Sequence, residues 1–471
     1  MRHFLKYAFF TAIAGTTLYC NTSSITKPIS TKFQHGVVNP ICEFSKRLTT
    51  RLESSEWLNK QNPDITKYFN FAKYSWDENY KTTSFVPYVE KLIVEPETKI
   101  VVIPDIHGNA RFYYRVMKDL VERKIIRRTD NGYQIAQENL YFIFLGDYVN
   151  ALFGGAEILL NAIQLSNNSP GKVFLLRGNH ENIGYWNPMF ASYCHGELVR
   201  WEVMERFSAP SYADANKFFY TYDLLSLTMY LGCKNTNGST DFLQISHSNF
   251  EVGYNAKDFL DSTSQFHFLE RFDRPGMLAQ LPLSEELQRK KDGIEPWGFV
   301  EKLKGIHLLC EDLQPEDFVG TNYQFGGFVG CGDFLDSDPG WDEGLGDGIS
   351  ISKKTAKHPH RAVPVWGEKA TKRFLDLNSS SKNILRGIIR GHQHGNHEKI
   401  YRTHGFMPQW NGTVTTLASA STFPRDNGDY TYFIITTKNS YREWTIEHNW
   451  VTVRQAPVNV FSRATHKLWE T

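Results

Sequence analysis

Five short apolar segments, each followed at once by a cluster of polar residues, constrain the fold of this 471-residue chain more than any other feature. Their β-branched and aromatic content is typical of strands buried inside a sheet. The five segments are residues 99–103, 140–145, 172–176, 243–246 and 384–390.

Helical spacing of apolar residues follows the first two segments, over 110–123 and 157–165, and further strand-like runs occupy 413–417 and 430–437. Strands that first alternate with helices and then follow one another predict an α/β fold. We expect a two-sheet β-sandwich flanked by helices.

The chain divides into four predicted regions around this pattern. Residues 1–22 resemble a signal peptide, 23–95 form an N-terminal extension that packs on the main domain, 96–445 form the main domain, and 446–471 form a C-terminal tail. Residues from about 255 to 350 are rich in Gly, Asp and Pro and carry little strand signal. We interpret them as an insertion that could form a cap over the functional site.

The amino terminus has the layout of a secretory signal peptide. Arg2, His3 and Lys6 precede a mostly apolar run of 13 residues, 7–19, whereas a membrane-spanning helix needs about 20. This predicts export to a periplasm or out of the cell. A membrane-anchoring start and a mitochondrial presequence are the alternatives. Lipid attachment at Cys20 is a further option, but the residues before it match such a cleavage site poorly.

Charge and cysteine content exclude several classes of protein. The formal net charge is +1, so there is no global basic field, and non-specific nucleic-acid binding is not expected. The six cysteines are widely spaced and form no CxxC pair, which argues against a disulfide framework or a structural zinc site. No apolar stretch after the amino terminus is long enough to span a bilayer.

The polar clusters after the five segments predict a metal centre. Carboxyl ends of strands converge at one edge of a sheet, so the clusters should meet there. The candidate ligands are Asp105, His107, Asp147, Asn179, His247 and His392. Their mixture of oxygen and imidazole nitrogen suits two ions of Mn, Fe or Zn.

Two neighbouring metal ions are suited to hydrolysis of phosphate esters. Asp147 has two carboxylate oxygens and could bridge the ions, with Asp105 and His107 on one ion. A water between the ions would lose a proton near neutral pH and become the nucleophile. His180 could protonate the leaving group, and Arg177 could bind phosphate oxygens.

The clusters DIHGN, GDYVN, LLRGNHE, SH and RGHQH, in this order, resemble the calcineurin-like metallophosphoesterase superfamily. The closer resemblance is to its phosphoprotein (serine/threonine) phosphatase branch. It implies the six ligands named above and His180 as the leaving-group acid. It also implies phosphate contacts from Arg177 and Arg361, and His394 as a possible additional ligand.

The chain departs from the family pattern GDxxDRG. Asn150 stands where the family has the acid that orients the catalytic histidine, and Ala151 stands where it has a phosphate-binding arginine. The amide of Asn150 can still accept a hydrogen bond from an imidazole, but it adds no charge. After the fourth strand, the family's HGG is replaced by His247-Ser248-Asn249.

These observations predict a metal-dependent phosphatase that acts on phosphomonoesters, with phosphorylated serine, threonine or tyrosine in proteins as the expected substrate. A phosphoesterase of small molecules or nucleotides on the same fold is the first alternative. A catalytically weak phosphate-binding protein is the second, because of Asn150 and Ala151.

Overall fold

The computed structural model describes most of the main domain and part of the N-terminal extension. The described residues are 31–58, 88–149, 153–181, 195–249, 254, 256–268, 338–339, 349–351, 364–366, 368–393, 403–419, 429–452 and 460–468. The predicted signal segment with Cys20, most of the insertion, and the site candidates Asn150, Arg361 and His394 lie outside these residues.

The strands follow the predicted segments closely and add several others. In chain order they are β1 (Tyr88–Val94), β2 (Lys99–Ile103), β3 (Ile126–Thr129), β4 (Gly132–Ile135), β5 (Leu140–Phe144), β6 (Val173–Leu175), β7 (Thr228–Lys234), β8 (Thr240–Ser246), β9 (Phe266–Phe268), β10 (Asp338–Pro339), β11 (Ile349–Ile351), β12 (Pro364–Trp366), β13 (Asn383–Arg390), β14 (Phe406–Gln409), β15 (Val414–Leu417), β16 (Asp429–Thr436), β17 (Thr445–Thr452) and β18 (Val460–Lys467).

The α-helices lie mainly between the early strands and at the amino-terminal side. They are α1 (Thr31–Phe33), α2 (Asn39–Ser54), α3 (Ala110–Glu122), α4 (Gly155–Asn168), α5 (His195–Phe207), α6 (Tyr212–Asn216), α7 (Tyr220–Asp223), α8 (Ala256–Asp261) and α9 (Glu368–Leu377). A π-helical turn, Gln34–Val38, joins α1 to α2, and short 3-10 helices occupy Lys217–Phe219 and Tyr441–Glu443. No helix in this part of the chain is both long and apolar enough to cross a bilayer.

Two large mixed sheets form the sandwich, which confirms the predicted fold class. The first has the order β14-β15-β13-β8-β7-β1-β9, and the second has the order β18-β17-β16-β2-β5-β6. Two smaller sheets, β10-β12-β11 and the hairpin β3-β4, lie outside them.

The buried faces of the sheets explain this layering. In β2, Ile100 and Val102 belong to a cluster that also contains Leu231, Leu243 and other residues of the first sheet. The alternate residues of the same strand, Val101 and Ile103, belong to a second cluster with residues of α3 and α4. Successive side chains of a strand point to opposite faces, so β2 is buried on both sides and contains an uninterrupted apolar run.

The N-terminal extension packs against the main domain through α2. One face of this helix is buried, including Ile41, Phe44 and Leu52, and the Asn167 side chain of α4 donates a hydrogen bond to the carbonyl of Pro40, 3.0 Å away. The chain then forms a β-bridge between Trp57 and Phe266 of β9.

Strand β1, within the predicted extension, is an internal strand of the first sheet, between β7 and β9. The sequence did not predict this strand because Glu90 and Lys91 interrupt its apolar pattern. Both are buried. Glu90 accepts a hydrogen bond from Arg51, and the Lys91 ammonium donates to the carbonyls of Phe259 and Ser262, each 2.6 Å away. Buried charges with such partners are compatible with an internal strand.

The segment predicted as a C-terminal tail contributes the two outermost strands of the second sheet. Strands β17 and β18 pair antiparallel over Thr445–Thr452 and Val460–Lys467. Their sequences lack the continuous apolar run of a central strand, because outer antiparallel strands can keep polar residues on one face.

The predicted insertion, from about residue 255, begins within the described part of the chain, because α8 and β9 lie inside it and β9 is an edge strand of the first sheet. Phe268 at the end of β9 pairs with Tyr88 at the start of β1. The neighbouring residue Val89 pairs with Thr228, which pairs in turn with Ser246 at the end of β8. Phe268 therefore lies toward the same end of the sheet as His247, which follows Ser246.

Candidate metal centre

Five strand ends meet at the edge shared by the two sheets. The neighbouring parallel strands β2, β5 and β6 of the second sheet carry Asp105, Asp147, Asn179 and His180 after their last residues. The neighbouring parallel strands β8 and β13 of the first sheet carry His247 and His392. The centre is thus built from both sheets.

Asp147 lies between two groups of possible ligands. The first consists of His107, Asp147 and His180, and the second of Asp147, His247 and His392; in each group one ligand atom per residue lies within 4.8 Å of the others. The position of Asp147 in both groups is the geometry that a bridging carboxylate needs.

In the first group, one carboxylate oxygen of Asp147 lies close to two imidazole rings. Oδ2 of Asp147 lies 3.4 Å from Nε2 of His107 and 3.7 Å from Nε2 of His180. The backbone N–H of His180 donates to the other oxygen of Asp147, 3.0 Å away. His180 is partly exposed, whereas His107 and Asp147 are buried.

In the second group, several acceptor atoms face one another. Nδ1 of His247 lies 2.9 Å from the carbonyl oxygen of Leu145 and therefore carries the proton. Nε2 of the neutral ring is then an acceptor, and it lies 3.0 Å from Oδ1 of Asn179 and 3.4 Å from Oδ2 of Asp147. Nδ1 of His392 is 3.2 Å from the same nitrogen. A cation bound among these acceptor atoms would offset the repulsion between them.

Asp105 supplies independent support for a cation. The residue has no exposed surface, and neither carboxylate oxygen has a hydrogen-bond partner of standard geometry. Burial raises the pKa of this carboxyl well above its ordinary value. A buried carboxylate is costly unless a positive charge pairs with it, and a metal ion would add such a charge.

Close backbone approaches shape the pocket around the two carboxylates. A side chain at Gly391 would place its Cβ 2.3 Å from Oδ1 of Asp105, and one at Gly178 would place its Cβ 2.1 Å from Oδ1 of Asp147. Glycine at both positions leaves room for the carboxylates, which would have to move if a Cβ were added.

Electrostatics keeps His247 in the form that can bind a metal. Burial lowers the pKa of His247 well below its ordinary value, and the neighbouring His392, His107 and Arg390 lower it further. Metal ions bind the neutral imidazole, so this shift favours ligand function at neutral pH.

The predicted phosphate contact Arg177 lies mostly away from solvent, with 7% of its surface exposed. Its Nε donates to the carbonyl of Glu181 over 3.0 Å, and its Nη1 lies 3.6 Å from Oδ1 of Asp223. A phosphate contact from Arg177 stays a prediction and would require the guanidinium to leave these neighbours. Predictions for Asn150, Arg361 and His394 fall outside the described residues.

Two charged residues near the centre are not indicated by the sequence patterns. Glu181 is fully buried beside the Asp147 loop, and Arg390 is fully buried beside His392. Nε of Arg390 donates to the carbonyl of Ser248, 2.9 Å away, and its Nη1 donates to Gln393, 2.8 Å away. Arg390 therefore links the His247 and His392 loops. Glu181 belongs to the cluster LLRGNHE and Arg390 to the cluster RGHQH, but their partners are apparent only in the folded chain.

The donor set fits two metal ions of the kind that the sequence predicts. Asp105, His107 and Asp147 could hold one ion, and Asp147, Asn179, His247 and His392 could hold the other. Oxygen and imidazole ligands suit Mn, Fe or Zn. His180 also lies within reach of the first ion, so its role as an acid must be separated from a role as a ligand.

Comparison with a family model agrees with this geometry. Residues 98–280 match the model of the calcineurin-like phosphoesterase family. The matched range contains β2 to β9 and ends before His392. The chain therefore contains a calcineurin-like phosphoesterase domain, as the five clusters indicated. It is a hydrolase, a metal-dependent phosphoesterase.

Similar solved structures include phosphatases with two named specificities. One is a protein serine/threonine phosphatase from Saccharomyces cerevisiae with similarity to human phosphatase PP5, at 17% identity and a TM-score of 0.42, with coverage of 78% of this chain and 84% of that chain. Another is a cold-active protein-tyrosine phosphatase of a psychrophile, Shewanella sp., at 13% identity and a TM-score of 0.37, covering 77% and 82%. Similarity at this level does not bear on the substrate of this chain.

Proposed function

We propose that this protein is a phosphomonoesterase that removes phosphate from serine, threonine or tyrosine side chains of proteins. The observation that carries the proposal is the position of Asp147 in two ligand groups at the meeting point of the two sheets. A shared carboxylate between two groups of imidazoles is the arrangement expected for two-metal hydrolysis of a phosphate ester.

The chain's own residues have distinct tasks in this reaction. Asp105, His107, Asp147, Asn179, His247 and His392 would hold the metal ions. The metal ions, when bound, supply activation of water and stabilisation of charge on the phosphoryl group. His180, which is partly exposed beside the first group, would give a proton to the leaving oxygen.

Protein substrates are proposed because the resemblance of the five clusters is to the phosphoprotein phosphatase branch. Asn150 and Ala151 weaken this expectation, so small phosphate esters and nucleotides are included in the test. Fold alone does not decide among these substrates.

The test compares substrates under defined metal conditions. The full chain is assayed with Mn, Fe or Zn on phosphoserine, phosphothreonine and phosphotyrosine peptides, on nucleotides and on p-nitrophenyl phosphate. We expect kcat/KM to be at least about tenfold higher for one class of phosphopeptide than for nucleotides, a difference of about 1.4 kcal/mol in transition-state binding. Faster turnover of nucleotides would identify a small-molecule phosphoesterase instead. Metal-dependent phosphate binding without turnover would identify a binding protein.

Asp147→Asn is the control for metal-dependent chemistry. The neutral amide cannot bridge two dications as a carboxylate does, so both metal content and activity should fall to background. Asp241→Asn is the matched variant, because Asp241 is equally buried but lies at the opposite end of β8. It should retain metal and activity as long as it folds.

A further inference from the structure

We propose that Glu181 is a positioning residue of the metal centre, which sets the separation between the loop of Asp147 and the loop of Asn179. The proposal rests on the proposed function in that it assumes metal binding at these residues. It does not depend on the identity of the substrate. Glu181 is two positions after Asn179 and is fully buried.

Both carboxylate oxygens of Glu181 accept backbone hydrogen bonds. Oε2 accepts from the N–H groups of Asp147 and Gly178, each 2.8 Å away. Oε1 accepts from Tyr148 at 2.9 Å and from Val149 at 3.3 Å. The carboxylate thus joins the loop after β5 to the loop after β6, and its oxygens are directed to the backbone instead of the ligand groups.

Backbone conformation explains why these donors converge. Gly146 has a φ of 98° and Asp147 has a φ of 50°, both in the left-handed region. Successive N–H groups in such a turn point to one side and form a concave site for an anion. In this protein the anion in that site is the carboxylate of Glu181. Hydrogen bonds to an ionised acceptor are stronger than neutral ones, which helps to maintain a conformation that is unfavourable for a residue with a side chain.

The contacts between the two loops leave little room for adjustment. A side chain at Gly146 would place its Cβ 2.4 Å from the nitrogen of Gly178. In addition, the N–H of His180 donates to Oδ1 of Asp147 at 3.0 Å. Loss of the Glu181 carboxylate would release the N–H groups of both loops at once, so Asp147, Asn179 and His180 would lose their common support.

A second buried glutamate provides a matched control. Glu202 of α5 is 1% exposed and, like Glu181, accepts hydrogen bonds from backbone N–H groups. Its three donors are Gly154, Ala156 and Glu157, at 3.0–3.1 Å. These donors belong to the start of α4 and not to a ligand loop. Glu181→Gln and Glu202→Gln therefore remove the same kind of interaction at two places, of which one supports the metal centre.

The experiment measures Mn binding to the full-length chain by calorimetry, without substrate, together with kcat and KM at saturating Mn. For Glu181→Gln we expect Mn affinity to fall by about 10–100-fold, the usual effect of losing a residue that orients metal ligands. We also expect kcat to fall at saturating Mn while KM changes less than kcat. Glu202→Gln should bind Mn within about twofold of the wild type, whatever its loss of thermal stability.

Three outcomes decide between the possibilities. Equal Mn affinity in the wild type and Glu181→Gln would overturn the positioning role. Equal losses in Glu181→Gln and Glu202→Gln would also overturn it, because they would show general destabilisation. A wild-type chain that binds Mn but hydrolyses no phosphoester would overturn the proposed function alone, since the binding comparison would still stand.

If Glu181→Gln does not fold, Glu181→Asp is measured in its place, because it keeps the charge and shortens the reach by one methylene. About tenfold weaker Mn binding is expected, and unchanged binding would contradict the proposal. Hydrogen exchange of the wild type gives a further check that needs no variant. The amides of Asp147, Tyr148 and Gly178 should be protected although they lie outside the strands, and fast exchange would contradict the hydrogen bonds to Glu181.

Discussion

Left-handed backbone conformations occur at three candidate ligands. His107, Asp147 and His392 have φ values of 50°, 50° and 67°. Such conformations are uncommon for residues with a side chain and persist where surrounding structure supports them. In this protein the support comes from backbone bonds between loops, such as those from the N–H groups of Ile106 and His107 to the carbonyl of Asp147, at 3.0 and 2.7 Å.

His180 is the residue whose role can be decided by a single substitution. If His180 is the general acid, His180→Ala should lower kcat on a phosphoserine peptide by ~10²–10⁴. The effect on p-nitrophenyl phosphate should be smaller, because nitrophenolate leaves without a proton. Metal content measured by atomic absorption should stay at the wild-type level. Loss of metal in this variant would instead identify His180 as a ligand of the first group.

Gly391→Ala tests the close packing around Asp105. The added Cβ would lie 2.3 Å from Oδ1 of Asp105, so the carboxylate must move and metal affinity should fall by about tenfold or more. Gly171→Ala is the control. Gly171 has open space around it but a φ of 73°, so alanine there should cost stability without changing the metal affinity. Wild-type affinity in Gly391→Ala would show that Asp105 is not a ligand.

At the scale of elements, helix α2 joins the N-terminal extension to the domain. Leu52 is fully buried on its inner face, and Nε1 of Trp57 donates to the carbonyl of Leu52, 2.7 Å away. Leu52→Ala should lower the free energy of unfolding by about 2–5 kcal/mol, as expected for a cavity in a packed core. Glu53→Ala, one position along on the exposed face, should change it by less than about 0.5 kcal/mol. Urea unfolding measures both, and a small effect of Leu52→Ala would indicate that α2 unfolds separately.

Strand β17 carries a histidine that makes stability depend on pH. Burial lowers the pKa of His448 to about 4, whereas an unfolded histidine has a pKa of about 6.5. Between these values the unfolded chain binds a proton at His448 that the folded chain does not. Folding stability therefore falls as the pH falls from about 6.5 to 4. From pH 7 to pH 5 this residue accounts for a loss of up to about 2 kcal/mol.

His448→Gln removes this titration and keeps a donor for the carbonyl of His404, to which Nε2 of His448 donates at 3.0 Å. Urea unfolding at pH 7 and pH 5 should show a smaller loss of stability for this variant than for the wild type. His35→Gln serves as the control for an exposed histidine. The same pH dependence in all three proteins would contradict the assignment.

At the scale of the whole molecule, the candidate metal centre lies where the two sheets meet. Three of its strand ends belong to the second sheet, and the ends of β8 and β13 belong to the first. Ions bound there should stabilise the folded chain by about 2.7 kcal/mol at a free metal concentration of about 100 times Kd. Chelation should lower the thermal unfolding midpoint accordingly. Asp147→Asn should lose most of this dependence, and a wild type insensitive to chelation would contradict metal binding at the centre.

The sequence by itself determined the strands that carry the candidate site. The apolar runs that became β2, β5, β6, β8 and β13, and the resemblance of the clusters after them to calcineurin-like phosphoesterases, were readable without a structure. The reason is physical. Strands buried on both faces need continuous apolar residues, and metal ligands must follow them directly to share one sheet edge.

Only the tertiary structure decided which charged residues are buried and what they hold. Strand β1 was not predicted because its charged residues Glu90 and Lys91 are stabilised by partners in distant segments. Strands β17 and β18 were not predicted because outer strands need no continuous apolar run. The same applies to Glu181 and Arg390, whose partners are backbone groups of other loops. A local pattern can show where a ligand stands, but a buried charge is stabilised by groups far along the chain, and these meet only when the chain folds.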